Sequence, residues 1–181
     1  MTGRVAAIVL AAGEASRFGA PKQLLLLPRV LERLRRAPVD EIVVVEGAHP
    51  LPRDHRPPRA PAPDYRVVRC PSWWRGPGAS LRCGLSALGE DVVAAVVVLA
   101  DGPDLAPEAV ARVVAAWRER GGVVAASYAG ERGHPLVLGR EEWADVPDDG
   151  LRGRPTRLVP CDDLGPPGDV DRPEDLRAET P

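Results

Sequence analysis

Short, nearly uninterrupted apolar runs recur along this chain, and between them lie stretches whose apolar residues return at helical spacing. Residues 4–10 (RVAAIVL), 41–45 (EIVVV) and 92–99 (VVAAVVVL) show no polar alternation, which predicts short strands buried on both faces. Residues 65–68, 123–127 and 136–138 predict further strands, and 156–160 a last one. Residues 23–36 carry leucines, a valine and arginines at the spacing of an amphipathic helix. Residues 80–88 predict a short helix behind Gly76 and Gly78. Residues 107–120 predict another, with Pro107 in its first turn and Gly121 after its end. Pro173 opens a short terminal helix over 173–177. Residues 47–64 hold too many prolines for a ladder or a helix and predict a long irregular loop. Strands therefore alternate with helices. The expected fold is α/β, a mostly parallel sheet with helices on both faces. No internal repeat or linker interrupts it, so residues 1–181 are expected to form a single domain.

Composition narrows the function. An apolar fraction of 44% suffices for a core, and a formal net charge of −2 argues against nucleic acid or a membrane surface as partner. No stretch reaches the length of a membrane span, and the first residues run into a glycine loop rather than a signal-peptide cleavage site. Cys70, Cys83 and Cys161 are odd in number and form no C-x-x-C pair. Neither a disulfide framework nor a zinc site is expected, and a reducing cytoplasm is the natural setting. Of the 24 lysines and arginines only Lys22 is a lysine, and it stands inside a glycine-containing loop.

That loop, LAAGEASRFGAPKQLL from residue 10 to 25, follows the first strand, where open α/β sheets bind ligands. Ala12 and Gly13 allow close approach of a ligand to the backbone, and Arg17 and Lys22 supply cations for phosphate oxygens. The pattern is neither a Walker A loop nor a G-x-G-x-x-G fingerprint, and a surface turn with solvated cations is the plain alternative. Asp101 stands at the exit of the strongest strand, placed to hold Mg2+ on a nucleotide's phosphates. Asp104 suits a turn or helix cap better. Asp171 precedes the terminal helix and is a candidate second metal ligand. Ser80 opens its helix, either near a base or phosphate or as a simple N-cap. His134, in RGHPLVL, precedes a strand and is the candidate on the acceptor side.

In this order the segments resemble the MobA-like nucleotidyltransferase family, and most closely its molybdenum cofactor cytidylyltransferase branch. The first loop is similar to the family's L-A-[AG]-G-x-x-x-R-[FM]-G-x-x-K, and LAAG followed by PKQ resembles the cytidylyl rather than the guanylyl branch. The resemblance implies a Rossmann-like nucleotidyltransferase fold. It implies transfer of a nucleoside monophosphate from a nucleoside triphosphate, CTP favoured, to a phosphorylated small molecule such as molybdopterin, with release of pyrophosphate. Leu10, Ala11, Ala12 and Gly13 would cradle the nucleotide, with Arg17 and Lys22 on its phosphates and Ser80 near the base. Asp101 and Asp171 would hold Mg2+. A cofactor-receiving enzyme is an implied partner. The departures lie on the acceptor side. The D-G-x-P-L turn after KQLL is missing, D-Q-P is replaced by Asp101-Gly102-Pro103, and G-D-x-G-A-R survives loosely in residues 148–154. A guanylyltransferase with another acceptor, or a nucleotide-binding assembly protein without catalysis, is the alternative.

Overall fold

A computed structural model describes residues 3–14, 22–51 and 65–168, with the side chains of residues 22–24 left out. The elements in chain order are β1 (Arg4–Ala11), α1 (Lys22–Leu34), β2 (Glu41–Glu46), β3 (Tyr65–Arg69), α2 (Pro77–Ser86), β4 (Val92–Leu99), α3 (Pro107–Arg120), β5 (Val123–Tyr128), β6 (Glu131–Gly139) and β7 (Arg157–Pro160). Short 3-10 turns follow β3, β6 and β7. The terminal helix expected over 173–177 and most of the proline-rich stretch lie outside the described residues.

All seven strands form one sheet in the order β3-β2-β1-β4-β6-β5-β7. β1 pairs parallel with β2 and β4, β2 with β3, and β5 with β7. β6 runs antiparallel to both β4 and β5. The sheet is thus the mostly parallel one expected, with a single reversed strand inserted among the described residues.

Pleating divides the apolar runs between two cores. Val5, Ala7 and Val9 of β1 and Ile42 and Val44 of β2 face α1 and α3, where Val30, Leu34, Val110, Val113 and Trp117 meet them. Ala6 and Ile8, with Val43 and Val45, face Leu81 and Leu85 of α2. Helices therefore cover both faces, which is why these strands carry no polar alternation. Gly84 lets α2 lie close on this face, because a Cβ there would press on Ile8 and Val45. α1 contains Pro28, which forfeits one helical hydrogen bond. Burial of Leu26, Leu27, Val30 and Leu31 offsets that loss.

Two local expectations are corrected. α2 begins at Pro77 with Gly76 as its cap, so Ser80 lies within the helix and is not its N-cap. Of the two roles expected for Asp104, turn or cap, it takes the turn before α3, whose N-cap is Ala106, with its amide donating to the Pro167 carbonyl and its carboxylate 3.5 Å from Arg29. Cys70 and Cys83 are joined as a disulfide, contrary to the expectation of unbridged cysteines. β3 and α2 pack side by side and bring their Cα atoms within 5.6 Å, a proximity the thirteen-residue spacing does not reveal.

Candidate functional site

From β1 the chain passes through α1 to β2 on one side of the strand order, and from β4 through α3 to β5 on the other, with α1 and α3 on the same face of the sheet. The exits of adjacent parallel strands whose connections diverge form the crevice in which open α/β folds bind ligands. Here the two exits are joined, the Ala100 amide donating to the Leu10 carbonyl at 3.1 Å. The backbone of residues 10–13 leaves on one side of this bond and Asp101 on the other.

The start of the first loop is buttressed from below. Ala12 is buried, and its carbonyl accepts the Ala48 amide at 3.1 Å. Gly47 is required at this approach, because a Cβ would strike the Ala12 carbonyl and Trp73. The His49 ring meets the Glu14 carbonyl at 3.0 Å. Buried Glu46 accepts the Leu51 amide at 2.7 Å and fixes the turn that carries these supports. The loop then passes through Arg17, outside the described residues, to Lys22, the first residue of α1.

β6 supplies the third side. Because it is antiparallel, its beginning rather than its end lies at the exits of β1 and β4. Its first residues are polar and hold Arg132, Gly133 and His134 against the crevice. The His134–Pro135 peptide is cis. Burial and the neighbouring Arg132 cation lower the pKa of His134 to about 4, against a smaller opposing pull from Asp101. The imidazole is therefore neutral at physiological pH and within the field of the Asp101 carboxylate. Tyr128 donates its hydroxyl to the His134 carbonyl at 3.1 Å, and burial pushes its own pKa to about 12.

Arg132, Gly133 and His134 form a ridge between two clefts. On the α2 side a cleft of about 370 Å3 is lined by Leu10, Pro77, Leu81 and Leu99 and closed by residues 149–152. On the α3 side a cleft of about 350 Å3 is lined by Leu99, Leu105, Tyr128 and residues 166–168. The closing segment of the first cleft is clamped to α2. Asp148 accepts Arg75 Nε at 3.0 Å and also pairs with Arg82, and the two guanidiniums hold its carboxyl below the usual range. The Gly78 amide donates to the Asp148 carbonyl at 2.9 Å, and a Cβ on Gly78 would collide with the Pro147 carbonyl.

The crevice thus brings together Leu10, Ala11, Ala12, Gly13, Asp101 and His134. Ser80 is buried in α2, between Pro77 and Leu81 of the cleft wall. Arg17 and Asp171 lie outside the described residues. Among the described residues no group of three or more His, Cys, Asp or Glu side chains is arranged to hold a metal. Sequence reasoning missed Arg132 and Tyr128. The one signal for them was the polar start of β6 beside His134, which masks strand character and which the expectation of a strand over 136–138 left out.

A sheet with this order, a single reversed strand and a crevice at these exits defines the Rossmann-like nucleotidyltransferase fold. Residues 7–155 match the model of the MobA-like NTP transferase domain, and the chain belongs to that family of nucleotidyltransferases, which act on nucleoside triphosphates. Among solved structures, Rv0371c of Mycobacterium tuberculosis H37Rv is 27% identical with a TM-score of 0.75, covering 98% of this chain and 97% of that one. A structure of Rv0371c in complex with manganese is 26% identical with a TM-score of 0.68, covering 96% of each chain. A nucleotidyl transferase from Methanothermobacter, 21% identical with a TM-score of 0.68 over 96% of this chain and 94% of its own, shares the fold. A search of curated proteins returns no match. Among the described residues no helix is long and apolar enough to cross a membrane.

Proposed function

We propose that this nucleotidyltransferase is of the molybdenum cofactor cytidylyltransferase type, using CTP as donor, Mg2+ as metal and molybdopterin or a similar phosphate monoester as acceptor. The reading rests on one observation above all. The start of the loop that resembles the family's nucleotide motif, residues 10–13, the Asp101 exit and the polar start of β6 meet at one end of the sheet.

The acceptor's phosphate oxygen attacks the α-phosphorus in line, a phosphoanhydride bond forms, and pyrophosphate leaves. No covalent enzyme intermediate is needed, so catalysis is positioning and charge neutralisation. Residues 10–13 hold the donor through their backbone, and Arg17 and Lys22 neutralise its phosphates. Asp101 and Asp171 would hold the divalent cation. Mg2+ keeps waters and takes phosphate oxygens beside one or two carboxylates, which suits a site that presents Asp101 at a strand exit. Bound there, the cation would offset charge developing on the phosphates. Ser80 lies in α2, whose Pro77 and Leu81 line the cleft that would receive the base. Neutral His134 faces the acceptor. A cofactor-receiving enzyme is the partner to which the product would pass. We place the reaction in the cytoplasm, where nucleoside triphosphates are held. The Cys70–Cys83 bridge removes the cysteine count as an argument for that location. We take the whole chain as one domain.

Thermal stability with CTP, GTP, ATP and UTP, each with and without Mg2+, tests the donor. A ligand at a hundred times its dissociation constant stabilises the folded state by about 2.7 kcal/mol. CTP with Mg2+ is expected to give the largest shift. Equal shifts for all four defeat the cytidylyl reading, and a larger shift with GTP replaces it with the guanylyl one.

A further inference from the structure

The ridge between the two clefts carries a cation that no carboxylate answers. Arg132 is half-buried, and burial alone lowers its pKa. Its Nη1 donates to the Leu151 carbonyl at 2.8 Å and to the Arg152 carbonyl at 3.4 Å. These are neutral acceptors, and among the described residues no carboxylate lies within ion-pair distance of the guanidinium. Arg152, the other arginine lining the α2-side cleft, is exposed to solvent, and three more beside this wall are paired. Arg82 and Arg75 meet Asp148, and Arg154 meets Glu142 at 2.6 Å. A partly desolvated, unpaired cation is costly unless an anion joins it.

The surroundings say which kind of anion fits. Arg132 lines both clefts, so a group bound to it touches the α2-side cleft and the α3-side cleft together. The α3-side cleft has an apolar floor of Val98, Leu99 and Leu105, the ring of Tyr128 on one wall and the prolines Pro166 and Pro167 on another. Its one carboxylate, Glu131, is exposed. That lining suits a flat or apolar body, and the guanidinium at its inner edge suits a phosphate through paired N–H donors.

We infer that Arg132 is the anion-holding residue of the acceptor, gripping the phosphate of a monoester whose ring or apolar body lies in the α3-side cleft. The inference rests on the transferase reading above and assigns its acceptor subsite. The carbonyl bonds from Nη1 fix the guanidinium plane, and Nη2 and Nε remain to meet the ligand. The two clefts then divide the labour: nucleotide on the α2 side, acceptor on the α3 side, with the reacting phosphates on the ridge.

Phenyl phosphate is a suitable probe, since it joins a phosphate monoester to a flat apolar ring. Its binding is measured by calorimetry on the unliganded full chain, and MgCTP binding is measured separately. Arg132→Gln is expected to weaken phenyl phosphate at least tenfold and to leave MgCTP within twofold. Arg132→Lys keeps the charge while loosening the hold on the two carbonyls, and is expected to retain phenyl phosphate within about threefold. Unchanged phenyl phosphate binding in Arg132→Gln overturns the assignment. So does an equal loss in Arg132→Lys, which would mark Arg132 as a support for residues 151–152 only. A parallel loss of MgCTP would place the residue on the donor side and overturns it as well. If the wild-type chain fails to bind MgCTP yet holds phenyl phosphate through Arg132, the transferase reading falls and the anion site stands.

Discussion

The two halves of the sheet build the crevice in opposite ways. In β3-β2-β1-β4 every strand runs in one direction and delivers its ligand-facing residues at its exit. β2, β1 and β4 are nearly uniform apolar runs, because helices cover both their faces, whereas β3 at the edge is largely exposed. In β6-β5-β7 the strand beside β4 is reversed, so it contributes its entrance. β6 therefore begins with polar residues and ends in Leu136, Val137 and Leu138 of the core. One strand thus serves chemistry at one end and packing at the other. The parallel half is specified by local pattern, and the polar start of the reversed strand by its pairing with β5.

The largest expected effect tests the parallel half. Lys22→Ala and Asp101→Ala should each lower turnover about 100-fold or more, as loss of a preorganised electrostatic group does, with the fold retained. Steady-state pyrophosphate release together with circular dichroism checks this. Near-normal turnover in Asp101→Ala with Mg2+ would break the assignment of the β4 exit.

The next effect tests the seam between the halves. Gly78→Ala drives a methyl into the Pro147 carbonyl and must displace residues 147–150 from α2. Overpacking of this kind costs roughly 1–3 kcal/mol, read as a lower midpoint in chemical denaturation. The substitution should also weaken nucleotide binding, since Pro77 and Gly150 line the same cleft. A neutral result would show that the segment is free to move away from the helix.

The smallest effect belongs to the reversed half. The pKa of His134 is about 4 in the folded protein, against 6.5 for an ordinary histidine. Above pH 6.5 the ring is neutral in both states and the effect is absent. As pH falls below 6.5 the unfolded chain takes up the proton first, and stability drops until the folded imidazole protonates near pH 4. Between pH 7 and 4.5 the wild type should lose about 1–2 kcal/mol more than His134→Gln, a figure reduced for the partial exposure of the ring. Parallel pH profiles of the two proteins would contradict burial as the cause.

This contrast explains what the sequence disclosed. β1, β2, β4 and α3 were legible almost to the residue, because uninterrupted valine and alanine runs and the Pro107 and Gly121 signals are local. The crevice was legible where it hangs on strand exits, in residues 10–13 and Asp101. β6 was read as residues 136–138 only, since Glu131, Arg132, Gly133, His134 and Pro135 carry no strand pattern. Their strand conformation comes from pairing with β5, Tyr128 opposite Glu131. The Cys70–Cys83 bridge and the Asp148 clamp were invisible for the same reason. Each joins segments that only the folded sheet brings together. Ser80 was placed at a helix start because Gly76 and Gly78 looked like loop, whereas Gly78 lies within α2 so that residues 147–150 can approach.

Pyrophosphate release tests the central claim most directly. The full chain is supplied with CTP, Mg2+ and a panel of phosphate monoesters that includes molybdopterin, and each component is withheld in turn. The account predicts release only when nucleotide, metal and a monoester are all present, with CTP the preferred donor and molybdopterin the preferred acceptor. CTP that binds with Mg2+ and yields no pyrophosphate with any acceptor would contradict it, and would make the chain a nucleotide-binding protein without transfer.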